Sequence, residues 1–403
     1  MVSLALMTLG GVGMYSVTVV LPRIQSEFAV ARGDASLPYT MTMIGFGIGG
    51  IVMGKLSDRF GVMVPVLIGT VGLGAGFVAA GYASNLWMFS LIQGFVIGLL
   101  GTSATFSPLV ADTSLWFTRK RGIALAICMS GNYLAGAVWP PLIQHFVESV
   151  GWRQTYVGIG VFCLLSMLPL ALFLRRRPPA PLTTQLPAAA AQATSSTRSM
   201  ASDRPLGLSP ATLQILLCVA GLSCCVAMSM PQVHIVAYCG DLGFGAARGA
   251  EMLALMLGMG VASRLLSGWI SDHIGGLRTL LLGSVLQGIA LLMFLPFDGL
   301  VPLYLISAMF GLFQGGIVPS YALIVREYFT PQEAGARVGT VLMATLFGMA
   351  LGGWMSGVIF DWTGSYKAAF VNGIAFNALN LSIVLYLLYR ARQLARPVVL
   401  PVV

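Results

Sequence analysis

The chain has 403 residues, 57% of them hydrophobic and only 9% charged, with a formal net charge of +9 and a mean hydropathy of +0.88. A soluble domain carries about 25% charged residues, so a water-soluble enzyme or nucleic-acid binder is excluded and a polytopic membrane protein, with the lipid bilayer as its partner, is the class that remains. The six cysteines lie in or beside apolar runs, with neither CxxC pairs nor zinc spacing, so they read as packing residues and neither a metal nor another cofactor is expected.

Apolar runs bounded by charges or turn residues place twelve spans, near 2–22, 37–57, 62–82, 85–111, 121–145, 153–174, 210–232, 248–271, 277–297, 300–325, 336–360 and 367–389. The first run continues to Val20 without a small-residue cleavage site, so it reads as a first helix and not as a removable signal. Residues 175–209 open with RRRPPAP and continue rich in Pro, Ala, Ser and Thr. Such a stretch cannot bury a core, and it is expected to join one six-helix unit, 1–174, to a second, 210–403. On this topology 16 of the 22 Lys and Arg fall on the face that carries both termini, among them Arg119, Lys120, Arg121, Arg175, Arg176 and Arg177. The positive-inside rule then puts both termini in the cytoplasm of a cell whose inner (plasma) membrane holds the chain.

The two units repeat each other. Gly54-Lys-Leu-Ser-Asp-Arg-Phe-Gly61 recurs 214 positions on as Gly268-Trp-Ile-Ser-Asp-His-Ile-Gly275. Trp116-Phe-Thr118 recurs as Tyr328-Phe-Thr330, and Gly151-Trp-Arg153 in weaker form as Gly364-Ser-Tyr-Lys367. Three anchors at nearly one spacing mean a duplicated six-helix unit, the architecture of alternating-access carriers. Pairs with GxxxG spacing (Gly45/Gly49, Gly348/Gly352 and Gly353/Gly357) are expected to pack the surface on which the halves rock.

One charge stands out against this apolar background. In Glu251–Asp272, EMLALMLGMGVASRLLSGWISD, Arg264 lies eight residues before Asp272, about 12 Å along the axis and too deep to snorkel with ease. A cation at bilayer depth costs at least ~2.5 kcal/mol on insertion scales, and it normally faces a cavity and binds an anion. The alternative is pairing with a backbone carbonyl or a neighbouring acid; no other acid sits mid-span, so substrate binding is the expectation for Arg264. Tyr15, Asn132, Tyr133 and Gln314 are further candidates for the cavity wall, and Asn377 and Asn380 are read as packing groups. His234 is the one titratable group near a membrane-embedded position with an ordinary pKa close to neutrality, which makes it the candidate for proton coupling. There is no GxxxxGK[ST] run for ATP and no Ser/His/Asp arrangement among only three histidines, His145, His234 and His273, so no enzymatic activity is expected.

These motifs carry a resemblance. GKLSDRFG resembles the G-x-L-x-D-R-x-G signature of the major facilitator superfamily, which implies an all-α fold of twelve helices in two pseudo-symmetric bundles. It also implies gating roles for Asp58 and Arg59 and, in the second half, for Asp272 and Arg278. The trailing basic residues of that signature are replaced here by Val62, Met63, Val64 and Pro65. Trp116-Phe-Thr-Arg-Lys-Arg-Gly-Ile-Ala124 looks like the stretch before the fifth helix of monocarboxylate transporters. Ser263-Arg-Leu-Leu-Ser-Gly-Trp-Ile-Ser-Asp272 resembles the eighth helix of the monocarboxylate transporter and oxalate–formate antiporter branch, where an arginine at the position of Arg264 binds substrate carboxylate. Aromatics of the first helix surround the substrate in that branch, near the depth of Tyr15. Two departures matter: Gly260 stands where animal monocarboxylate transporters place an Asp, and Thr345 where oxalate exchangers place a Lys. One buried cation matches one carboxylate better than two. The expectation is therefore a carrier of a small, lactate- or pyruvate-like monocarboxylate, working as a monomer, with protons as the possible coupled ion. A carrier of another anion of the oxalate/formate type, or a non-transporting membrane sensor or scaffold, stays open.

Overall fold

The computed structural model describes residues 1–116, 121–175 and 205–394. They form twelve long helices: α1 (Val2–Glu27), α2 (Arg32–Phe60), α3 (Met63–Gly81), α4 (Leu86–Thr113), α5 (Arg121–Val150), α6 (Trp152–Arg175), α7 (Pro210–Asp241), α8 (Ala246–Ile274), α9 (Gly276–Met293), α10 (Leu300–Tyr328), α11 (Pro331–Thr363) and α12 (Tyr366–Leu394). Eleven are long and apolar enough to cross a membrane; the twelfth is α5, of 30 residues, which carries Pro140 and Pro141. No strand occurs among the described residues. Arg119, Lys120 and most of the expected linker lie outside them.

All twelve expected spans are helical, and most run past the apolar stretch that announced them. The seventh, read to residue 232, continues to Asp241. Polar end residues can reach the headgroup layer, and side chains satisfy the free backbone groups at helix starts. Asn85 Oδ1 accepts from Met88 N–H at 2.8 Å, and Ser209 Oγ from Thr212 N–H at 3.1 Å.

The duplication read from sequence is also a duplication of backbone. The glycines that close the two repeats, Gly61 and Gly275, have φ of +84° and +81°. Gly151 and its counterpart Gly364 take +87° and +65°. Ala29 and Gly243, 214 positions apart, take +50° and +82°, so the first half forces an alanine into a left-handed turn that the second half gives to glycine.

Within each half, helices approach until backbone meets backbone. A Cβ on Gly45 would lie 2.0 Å from the Gly94 carbonyl oxygen, where α4 winds as a π-helix from Ile92 to Thr102. A Cβ on Gly348 would lie 2.3 Å from the Leu222 oxygen of α7. Gly45/Gly49 and Gly348/Gly352 therefore pack helices of one half together, and the expectation that they line the rocking surface is corrected. Gly353/Gly357 do lie there, against Tyr39 and the Arg32 carbonyl of the other half.

The halves meet through α2 against α11 and α5 against α8. The α2 and α11 pair converges toward the face opposite the termini, where a Cβ on Gly33 would meet Val358 at 2.7 Å. These two helices part toward the termini face, where a Cβ on Gly54 of α2 or on Gly335 or Gly339 of α11 would meet no described residue within 4 Å. Along α2 and α11 the bundle is closed on one face and splayed on the other.

Candidate substrate site and its gates

Arg264 sits on α8 where that helix crosses α5. Its guanidinium carbon stands 4.5 Å from the centre of the Tyr133 ring, and its Nη1 donates to the Met129 carbonyl at 3.1 Å. Both partners belong to α5, so the contact joins the two halves. The backbone carbonyl weighed as an alternative is thus present, but it uses one donor of five. Arg264 Nε is buried and has no partner among the described residues, and the residue makes no ion pair among them. A carboxylate could fill that edge.

Gly260, one turn before Arg264, explains how the ring gets there. A Cβ on Gly260 would lie 2.5 Å from Tyr133 Cδ1 and Cε1, so the aromatic ring rests on the bare backbone. An aspartate at this position would collide with it. Tyr15 joins the group from α1: it is buried, its ring packs on Gly136 one turn beyond Tyr133, and it lies within electrostatic reach of Tyr133 and Arg264. Arg264, Tyr133 and Tyr15 are one constellation.

The other candidates fall elsewhere. Asn132 faces a narrow cleft of the first half, beside Met7, Gly11, Phe46, Thr102 and Thr105. Gln314 is fully buried and accepts from Gln232 Nε2 at 3.0 Å, tying α10 to α7, while its own Nε2 lacks a partner among the described residues. Thr345 is buried and returns its hydroxyl to the Leu342 carbonyl. Asn377 and Asn380 bond across helices of the second half, Asn380 Nδ2 to the Ala220 carbonyl at 2.9 Å, as packing groups would.

His234 belongs to a second constellation, at the closed face. Its Nδ1 lies 3.0 Å from Tyr366 Oη and its Nε2 2.8 Å from the Gly353 carbonyl. Tyr366 Oη accepts from Arg32 Nη1 at 3.1 Å. Arg32, at the start of α2, is 8% exposed and forms a two-pronged pair with Asp241 at the end of α7, its Nη2 donating at 3.2 Å. Its Nε donates to Gln25 at 2.9 Å, and its guanidinium lies over the Phe360 ring at 4.3 Å. Asp361 of α11 accepts from the backbone N–H groups of Arg32 and Gly33 at 2.8 and 2.7 Å, capping the first turn of α2 from the other half. Sequence reasoning missed this clasp. Arg32 counted there only as a loop cation, and the available signal was that Arg32, Asp241 and Asp361 end spans on the same face.

At the splayed face, Asp58, Arg59, Asp272 and Arg278 are all exposed and none makes an ion pair among the described residues. No group of three or more metal-ligating side chains occurs among the described residues.

Comparison with known proteins agrees with this architecture. Monocarboxylate transporter 13 of Rattus norvegicus is 27% identical over 352 residues, covering 85% of this chain and 76% of its own. Monocarboxylate transporter 11 of Homo sapiens is 28% identical over 334 residues, covering 78% and 66%. Among solved structures, a bacterial homologue of the human lysosomal transporter Spinster in an inward-facing, occupied conformation superposes with a TM-score of 0.70 at 14% identity, over 97% of this chain and 96% of that one. That last likeness is one of fold. The family model described as Major Facilitator Superfamily matches residues 2–304 and 252–399. With twelve helices in two repeated bundles and a sequence that the family model matches nearly end to end, the chain is a membrane transporter, not an enzyme, and belongs to the Major Facilitator Superfamily.

Proposed function

We propose that the protein carries a small organic monocarboxylate of the lactate or pyruvate kind across an inner (plasma) membrane by alternating access. The observation that carries this reading is the half-buried guanidinium of Arg264 between the halves, whose Nε has no partner and which has no ion pair among the described residues. A guanidinium offers bidentate geometry to a carboxylate and stays charged at any working pH. The similarity to monocarboxylate transporters supports the same substrate class. Tyr15 and Tyr133 would wall the site, with Asn132 and Gln314 reached as the halves move.

With both termini in the cytoplasm, as the basic residues favour, the closed face is external and the splayed face opens inward. Arg32, Asp241 and Asp361 then form the outer gate. Asp58, Arg59, Asp272 and Arg278 are gating residues that pair only in the opposite state. Proton coupling by His234 would act through the outer gate, because its ring holds Tyr366 and Tyr366 holds Arg32. The residues of the proposed site all come from one chain, and the working unit in this reading is a monomer.

The test is uptake of labelled lactate into proteoliposomes by wild type and Arg264→Ala, with and without a pH gradient. Saturable uptake that the substitution abolishes supports the reading, and its response to the gradient separates proton symport from facilitation or exchange. Uptake indifferent to Arg264→Ala sinks it. If lactate is refused while oxalate or formate exchanges in an Arg264-dependent way, the carrier is one for another anion.

A further inference from the structure

We propose that the Tyr133 ring and the Met129 carbonyl are resident counter-ligands of Arg264 that let the carrier reorient with no anion bound, so that transport is not obligatory exchange. This inference rests on the reading of Arg264 as the carboxylate ligand. When the substrate leaves, the guanidinium cannot shed its charge. An empty carrier must then bring a bare cation through its occluded state unless the protein supplies a partner, and an unpaired buried charge is strongly opposed.

Position 260 is where a helical neighbour could supply an acid, being four residues from Arg264 and on the same face. Glycine stands there, and the Tyr133 ring occupies the space an acid would need. What the guanidinium meets is the π-face of that ring at 4.5 Å and a backbone oxygen 3.1 Å from Nη1. Both are dipolar and not ionic. They hold the cation when it is alone, yet they yield to a carboxylate, whose charge-assisted bidentate pairing is the stronger interaction. The Nε donor, buried and without a partner among the described residues, is a further group that a carboxylate takes up as the halves move. Because both counter-ligands sit on α5 and Arg264 on α8, they bridge the halves that must rock.

The experiment measures labelled lactate entering proteoliposomes of the full-length chain in two modes: net uptake into empty vesicles, and exchange against internal unlabelled lactate. In wild type the two rates are of the same order. Tyr133→Leu removes the π-face, and Gly260→Ala drives a methyl group into the ring; each raises the ratio of exchange to net uptake by about fivefold, the loss of one cation–π contact from the empty-carrier step. A ratio does not depend on how much carrier folds, so loss of folded protein cannot imitate the effect. An unchanged ratio in both Tyr133→Leu and Gly260→Ala, or a wild type confined to exchange, overturns the inference alone. Absence of Arg264-dependent flux in either mode overturns the carboxylate reading and the inference with it.

Discussion

Asp241 ends α7 at the position that Glu27 holds at the end of α1, 214 residues earlier, and the two carboxylates serve opposite purposes. Glu27 stays within its own half, accepting from Arg153 Nη2 at 2.7 Å and from the Trp152 indole. Asp241 leaves its half and reaches across to Arg32. The cation that follows Gly364, Lys367, is drawn off to Asp298 at 3.0 Å. Duplication supplied two equivalent acids; giving one of them to the other half converted an internal brace into an intermolecular-style clasp between bundles.

Loosening that clasp should open the closed face. Asp241 is about one-third exposed, so solvent already screens part of the pair. Asp241→Asn is expected to cost the closed state about 1 kcal/mol, close to a fivefold shift in population. Spin labels at Ser84 and Thr363, one on each half at that face, would report it as growth of a longer-distance component in pulsed electron–electron resonance. An identical distance distribution in the variant would remove Asp241 from the gate.

Arg264→Lys separates charge from geometry. Lysine keeps the positive charge but loses the planar fork, the Nε donor and the stacking surface that Tyr133 faces. Transport is expected to persist with kcat/KM reduced about tenfold or more, while Arg264→Ala has none. Equal activity in Lys and Arg carriers would mean that the substrate reads the site as a point charge only.

What could be read in advance follows from which physical signals are local. Twelve spans, the repeat and Arg264 were legible because each is a pattern along the chain: apolar length, a fixed offset, a charge in the wrong solvent. The partners of Arg264 were not. That Tyr133 rests on Gly260 depends on how α5 crosses α8, and the sequence shows only a tyrosine in one span and a glycine in another. Asn132 illustrates the same limit: it is adjacent to Tyr133 in the chain, but the helical turn points it into a different cleft. Arg32 was hidden for another reason, since loop cations are counted for topology before they are considered as ligands.

The gating role proposed for the splayed face makes an asymmetric prediction. Asp58 and Asp272 are exposed and form no ion pair among the described residues, so Asp58→Asn should leave thermal stability in detergent unchanged within about 0.5 kcal/mol. Transport should nevertheless slow, because any pairing of Asp58 belongs to the state in which this face closes. Parallel measurement of melting and uptake separates the two, and a variant transporting at the wild-type rate would show that Asp58 has no gating role.

The close approach of α10 to α8 gives the sharpest stability test. A Cβ on Gly311 of α10 would lie 1.9 Å from the Met256 carbonyl oxygen of α8, and that obstacle is backbone, which cannot rotate away. Gly311→Ala must push α10 from α8 and is expected to destabilise the second half by about 1–3 kcal/mol, the usual cost of overpacking. Gly54→Ala is the control: it too sits in a helix, it has open space around it, and alanine is the better helix former, so stability should hold or rise slightly. Both variants change one methyl group, so composition cannot account for a difference between them. Equal melting temperatures for the two would mean that α8 and α10 do not approach as closely as Gly311 and Met256 require.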